Sequence, residues 1–316
     1  MLAPLTDAPL MVLAGSVHPG LAEEVVQHLG IPLGDVTTRR FSDGEIFARI
    51  NENVRGRDLY IIQPTCSPAD NLMELLLLID AARRASAARI TAVIPYFGYG
   101  RQDRKDQPRV AIGAKLVANM ITTAGASRVL GVDFHQHQLQ GFFDIPVDHL
   151  YAAPVITPYF REKGLLNPVV VAPDVGAAKM ARGTAKRLGA SIGIIDKRRP
   201  AANVAEVLNV IGDVEGRDCL IADDMIDTAG TMTEAVRALK ARGARNVFCT
   251  ATHAVFSGPA VERLACSEVT EVVVTNTIPV PEEKRFPQLT VLSVADLIAR
   301  AIRYTHSNES VSSLFD

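Results

Sequence analysis

The segment Cys219 to Val236, CLIADDMIDTAGTMTEAV, gathers the densest set of groups able to do chemistry: an apolar run, the adjacent carboxylates Asp223 and Asp224, then Asp227-Thr228-Ala229-Gly230-Thr231 and a helical pattern. Amide N–H groups at a helix start, with threonine hydroxyls and a glycine that permits close approach, make a cradle for a phosphate dianion. Two carboxylates just before it suit vicinal hydroxyls or a hydrated Mg2+. Ordinary helix capping by Asp227 or Thr228 is the simpler reading. Capping, however, asks for no carboxylates at the end of an apolar strand.

Two other places carry reactive side chains. Lys197 and Arg199 follow the apolar run SIGIID and, by themselves, are equally explained as a solvated basic turn. His135, in Asp133-Phe134-His135-Gln136-His137, fits either a hydrogen-bonded structural histidine or half of an amidohydrolase metal pair. That pair belongs near the N-terminus of such enzymes, whereas here it lies well along the chain. No GxxxxGK[ST] loop occurs, and Gly98-Tyr99-Gly100 lacks the third glycine of a dinucleotide fingerprint, so neither a P-loop kinase nor a Rossmann dehydrogenase is supported.

The chain that must position these groups has 316 residues, 48% hydrophobic and 22% charged, enough for one large domain or two ordinary ones. A net charge of −2 provides no general attraction to nucleic acid or an anionic membrane, so any phosphate must be held locally. Cys66, Cys219, Cys249 and Cys266 form no CxxC pair, which argues against a zinc ribbon and a disulfide framework and points to a reducing cytoplasm. The start, MLAPLTDAPLMVLAGS, lacks the basic flank of a signal peptide: Asp7 interrupts it and the first basic residue is Arg39. The longest apolar run, around Leu75 to Ile79, is far too short to span a bilayer.

Short Val- and Ile-rich runs alternate with longer helical patterns. MVLAG precedes a helix near Leu21 to Leu29, LYIIQ precedes Asn71 to Arg84, ITAVIPYF precedes Ile112 to Ala124, and RVLGV follows. VVVAP, Ala177 to Leu188, SIGIID, CLIADD, Thr233 to Arg242, VFCTATHAV and EVVVTNT continue the alternation. Continuous rather than alternating apolar strands imply an α/β fold with a mostly parallel sheet covered on both faces. Gly56-Arg57-Asp58 before LYII recurs 160 residues later as Gly216-Arg217-Asp218 before CLIA, with matching elements around both. A duplication with a boundary near residue 150 follows. The copies differ where ligands would bind, outside the carboxyl ends of the strands: ADDMIDTAGT in the second stands against QPTCSPADN in the first.

The segment ADDMIDTAGT is similar to the loop with which phosphoribosyltransferases hold a ribose 5-phosphate. FSDGE (Phe41 to Glu45), PYFGYGRQDRK (Pro95 to Lys105), the stretch from Asp133 to Leu150 and IIDKRRP (Ile194 to Pro200) extend the likeness. Together they make nearly the whole chain resemble the ribose-phosphate diphosphokinases, the phosphoribosyl diphosphate synthetases. The resemblance implies two tandem phosphoribosyltransferase-like domains, about 1–150 on the ATP side and 151–316 on the ribose 5-phosphate side, with the tail from about 293 returning to the first. It implies transfer of the diphosphoryl group of Mg-ATP to the 1-hydroxyl of ribose 5-phosphate, with AMP released. Lys197 is then the principal catalytic cation on a mobile loop, with Arg199 as its partner, the latter also touching the sugar phosphate. Asp223 and Asp224 meet the sugar, Asp227, Thr228, Ala229, Gly230 and Thr231 hold its 5-phosphate, and Asp174 binds metal and sugar. His135 serves the ATP side of the metal site. Arg101 and Gln102 contact ATP, and Phe41, Asp43, Gly44 and Glu45 complete the adenine site from a neighbouring subunit. Two Mg2+ ions, an assembly of six copies built from dimers and no membrane or nucleic-acid partner complete the expectation.

Some positions depart from the family pattern. After RQDRK many members read roughly SREPI[ST]AK; here DQPRVAIGAK keeps Arg109 and Lys115 but carries Val110, Ala111 and Gly113, which bears on the response to inorganic phosphate and ADP. The second glycine of PDxGG is Ala177. Ser310, Ser312 and Phe315 match the tail that forms the effector site in regulated members, in a short polar segment that would fray by default. Two rival functions remain at this level: a phosphoribosyltransferase that consumes phosphoribosyl diphosphate, which leaves FSDGE, GRQDRK and DKRRP unexplained, and a non-catalytic regulatory subunit of the synthetase.

Overall fold

Strands buried on both faces, such as Val169–Ala172, are apolar throughout and pair in parallel. The computed structural model describes residues 8–174, 176–198 and 207–315, without the side chains of 197, 198, 207 and 208. The chain begins with β1 (Leu10–Ala14), α1 (Pro19–Leu29), β2 (Leu33–Gly34), β3 (Val36–Arg40), β4 (Ile46–Ile50), β5 (Asp58–Ile62), α2 (Asp70–Arg84), β6 (Arg89–Ile94), α3 (Gly113–Ala124), β7 (Arg128–Val132) and β8 (Val147–Leu150). It continues with α4 (Ala153–Glu162), β9 (Val169–Ala172), α5 (Ala178–Leu188), β10 (Ser191–Arg198), β11 (Val207–Ile211), β12 (Asp218–Ile226), α6 (Gly230–Ala241), β13 (Asn246–Ala254), α7 (Ala260–Ala265), β14 (Glu271–Thr275), β15 (Leu289–Leu292) and α8 (Ala295–His306). Two compact units result. One runs to Tyr151 and includes Thr277–Pro279 and the segment from Val294; the other comprises Ala152–Asn276 and Val280–Ser293. Among the described residues no helix is long and apolar enough to cross a membrane.

The sheet of the first unit has the order β2-β1-β5-β6-β7-β8, and that of the second β11-β10-β9-β12-β13-β14-β15. All pairs are parallel except β10 with β11. Both sheets therefore start inside, step outward to one side, then cross to the other. The crossing opens a crevice at the carboxyl ends of β1 and β5 in one unit and of β9 and β12 in the other, where ligands bind in such folds. Strands β3 and β4 stand apart as an antiparallel hairpin.

The repeated Gly-Arg-Asp turn builds the same structure twice. Gly56 and Gly216 take φ of 71° and 68°, which glycine adopts without strain. Asp58 then accepts from Arg89 at 2.7 Å, and Asp218 from Asn246 at 2.9 Å; in each case the donor opens the next strand and lies opposite the aspartate. The recurring motif is thus a device for joining neighbouring strands.

Three of the boundaries that differ from the expected ones bear on the site. Strand β12 runs two residues beyond CLIADD, because backbone pairing with β13 persists to Ile226 opposite Ala254 whatever the side-chain polarity. Helix α6 starts at Gly230, one turn before the expected Thr233. Strand β10 continues past SIGIID, so Lys197 and Arg198 pair with Leu208 and Val207 of β11 and do not form a turn.

Candidate active site

In the second unit, β9 ends just before Asp174, β12 carries Asp223 and Asp224, and β10 beside β9 carries Lys197. Three adjacent strands thus bring the expected sugar-side residues to one edge of the sheet. Arg199 lies outside the described residues. Asp223 and Asp224 follow one another near the end of β12, close enough for their carboxyls to interact. Asp224 is buried and its amide donates to the Asp223 carboxylate at 2.9 Å. Asp174 accepts from the Ala177 amide at 3.0 Å, at the start of α5.

The capping explanation of DTAGT fails. The residue before α6 is Ala229, in the left-handed conformation at φ 59°, which has no side chain able to cap the helix. The amides of its first turn have no acceptor within the helix, and the helix dipole adds a positive potential there. Such a helix start can receive an anion, and it lies where the doubly wound sheet opens its crevice. No sequence signal identified Ala229 as the left-handed residue, a position where glycine or asparagine is the ordinary choice.

The corresponding crevice in the first unit is filled by its own side chains. Ser16, which matches Asp174 in strand register, gives both its amide and its hydroxyl to buried Glu74, each at 2.6 Å. Gln63, which matches Asp223, accepts from the Val17 amide at 3.3 Å and packs so closely that a Cβ on Gly15 would lie 2.2 Å from its Oε1. The first unit thus repeats the architecture with Ser16 and Gln63 where the second has Asp174 and Asp223.

The residues expected on the ATP side occupy three parts of the first unit. Phe41, Asp43, Gly44 and Glu45 form the tip of the β3–β4 hairpin: Phe41 is exposed, its amide donates to the Glu45 carbonyl at 2.9 Å, and Asp43 accepts from the Glu45 amide at 3.1 Å. One acceptor of Asp43 therefore shapes the turn. The Arg39 guanidinium lies 5.5 and 4.8 Å from the rings of Phe41 and Phe47. Arg101 and Gln102 are exposed beyond β6, and the Gln102 carbonyl accepts from Ala114 at 3.2 Å, which braces the start of α3. His135 is half-buried after β7. Of the retained residues in the altered loop, Lys115 donates to the Phe142 carbonyl at 2.6 Å.

Gly98 explains the GYG turn physically. A Cβ there would meet the Thr65 carbonyl at 1.9 Å, with the Gly98 amide already bound to Thr65 Oγ1 at 2.8 Å. Gly98→Ala should cost about 1–3 kcal/mol through forced backbone movement, seen as a lower urea midpoint; an unchanged midpoint would contradict this packing.

The tail does not fray. Ser313 Oγ donates to the Ser310 carbonyl at 2.8 Å, Leu314 is buried, and the Phe315 ring meets Tyr151 edge-on at 5.2 Å. Ser312 accepts from the Phe315 amide at 3.1 Å.

Burial first, then the neighbouring Asp224, and more weakly Asp174, push the Asp223 carboxyl up to about 8. Since the folded value exceeds the unfolded one near ~3.9, the stability of the neutral form is complete below that range and is lost as pH rises through about 8. Asp223→Asn, neutral at every pH, should therefore gain Tm relative to the unsubstituted protein between about pH 5 and about pH 9. A pH-independent difference would refute the shift.

Among the described residues no three His, Cys, Asp or Glu converge on a ready-made metal site. Mg2+ usually keeps several waters and leans on one or two carboxylates plus substrate phosphates. Asp174, close enough for its charge to raise Asp223, fits that demand.

Comparison with known proteins adds the following. Residues 10–125 match the model of the N-terminal domain of ribose phosphate pyrophosphokinase, and residues 199–316 match the phosphoribosyl synthetase-associated domain. A ribose-phosphate pyrophosphokinase of Synechocystis sp. is 56% identical over 100% of this chain and 96% of its own length. The chloroplastic ribose-phosphate pyrophosphokinase 1 of Arabidopsis thaliana is 54% identical over 98% of this chain and 78% of its own. The crystal structure of phosphoribosylpyrophosphate synthetase from Mycobacterium smegmatis superposes with a TM-score of 0.90 at 46% identity, covering 95% of this chain and 99% of that one.

Proposed function

The chain belongs to the ribose-phosphate pyrophosphokinase family, and from that membership we propose how its own residues perform the reaction. The protein transfers the diphosphoryl group of ATP to the 1-hydroxyl of ribose 5-phosphate, giving 5-phosphoribosyl 1-diphosphate and AMP. The observation that carries the residue assignment is the uncapped start of α6 at the crevice between β9 and β12. Neither the phosphoribosyltransferase nor the regulatory-subunit reading is favoured by relatives of this identity and coverage.

The amides and hydroxyls of Asp227 to Thr231 take the 5-phosphate, which leaves the sugar ring toward Asp223 and Asp174. The 1-hydroxyl oxygen attacks the β-phosphorus of ATP as its proton departs, the bond from that phosphorus to the α-phosphate oxygen breaks, and AMP leaves with the electron pair. Lys197 and Arg199 offset the negative charge on the group in transfer, where fixed cations act most strongly. Phe41, Asp43, Gly44, Glu45, Arg101, Gln102 and His135 serve ATP, with the Phe41 ring and the Arg101 guanidinium as stacking partners for adenine. Mg2+ supplies charge neutralisation when bound. Asp174 and His135 would hold it, and two ions, one arriving with ATP, would suit the two sets.

The exposed hairpin bearing Phe41 supports sharing of FSDGE between subunits of a homohexamer, and the packed tail supports an effector role for Ser310, Ser312 and Phe315. ADP inhibition that is not purely competitive with ATP follows from that role. Four cysteines with no disulfide among them support a reducing, cytoplasmic setting. ATP labelled on its γ-phosphorus tests the chemistry: the label should enter phosphoribosyl diphosphate with unlabelled AMP as co-product, whereas labelled free phosphate with ADP would refute it.

A further inference from the structure

The phosphate cradle is held from behind by one short stretch of the same unit. Past β12, the Ile226 carbonyl accepts from the Phe256 amide at 3.0 Å and the Asp227 carbonyl from the Ser257 amide at 2.9 Å. The next carbonyl, that of Thr228, accepts from the Arg263 guanidinium of α7 at 3.0 Å. A trans peptide points its N–H opposite to its C=O. Three consecutive carbonyls turned toward 256–263 therefore turn the amides of Asp227, Thr228 and Ala229 the other way.

The third of these peptides is the demanding one. It leads into Ala229, whose left-handed backbone is disfavoured for any residue with a Cβ. The first two are fixed by main-chain bonds, the third by a side chain. Arg263 is itself exposed and adds nothing to the core. Its guanidinium also covers the first residue of α6, since a Cβ on Gly230 would lie 3.3 Å from Arg263 Nη1.

We propose that Arg263 is a positioning residue for ribose 5-phosphate: its bond to the Thr228 carbonyl holds the Thr228–Ala229 peptide with its N–H toward the 5-phosphate. The proposal rests on the assignment of Asp227 to Thr231 as the sugar-phosphate cradle. Because Arg263 acts on the orientation of a binding amide, its loss should weaken substrate binding and leave the transfer step alone.

Steady-state kinetics of the full-length enzyme test this, with ATP saturating and ribose 5-phosphate varied. Arg263→Ala should raise KM for ribose 5-phosphate by about tenfold, as loss of one oriented donor does, with kcat, KM for ATP and Tm unchanged. Arg263→Gln, a neutral donor, should recover most of the affinity. An unchanged KM in Arg263→Ala overturns the proposal, as does a rise in both KM values with a fall in Tm, or a Gln variant as weak as Ala, which would assign the effect to charge at a distance. An unsubstituted enzyme that shows no saturation by ribose 5-phosphate overturns the cradle assignment itself, and the proposal with it.

Discussion

Lys197→Ala is expected to lower kcat by about 10²- to 10³-fold while KM for ribose 5-phosphate moves less than about threefold. The strand order places Lys197 on β10, next to β9, and Asp174 lies just beyond the end of β9. In the proposed role this cation offsets charge that is greatest in the transition state, so its removal is expected to act on rate rather than on ground-state binding. Its backbone pairs with β11, so the position is set by a β-ladder. Loss of affinity with an unchanged kcat would refute the role.

The reverse pattern is expected at the cradle. Thr228→Ala and Thr231→Ala, each of which removes a hydroxyl donor, should each raise KM for ribose 5-phosphate by about 10- to 100-fold, the worth of one hydrogen bond involving a charged group, with kcat within about threefold. The 5-phosphate is remote from the reacting oxygen and is bound equally in ground and transition states. Its contacts should therefore appear in KM. An unchanged KM in both variants would remove the sugar phosphate from the start of α6.

The architecture was largely legible because buried parallel strands are apolar on both faces and helices carry a single apolar face. The runs VVVAP, LYIIQ and VFCTATHAV predict strands, and β9, β5 and β13 lie there, each ending one residue short of its run. The hairpin β3–β4 was not read, since its strands are half-exposed and mixed in polarity. Polarity also misled at the end of β12, where backbone bonds carry the strand two residues beyond the aspartates. At the site, DTAGT pointed to an anion cradle but could not say that Ala229 takes the left-handed turn in place of a cap. Neither Arg263, a lone charge in a short helix, nor the filling of the first crevice by Gln63 and Glu74 could be read, because each depends on which distant segments fold together.

The central claim is tested most directly by counting AMP against phosphoribosyl diphosphate formed by the purified protein from ATP, Mg2+ and ribose 5-phosphate, with and without inorganic phosphate. One AMP per phosphoribosyl diphosphate, in strict dependence on ribose 5-phosphate, is the predicted result, and the phosphate comparison reads the effect of the altered loop from Asp106 to Lys115. A folded sample that forms no AMP under either condition, or that forms AMP without phosphoribosyl diphosphate, would contradict it.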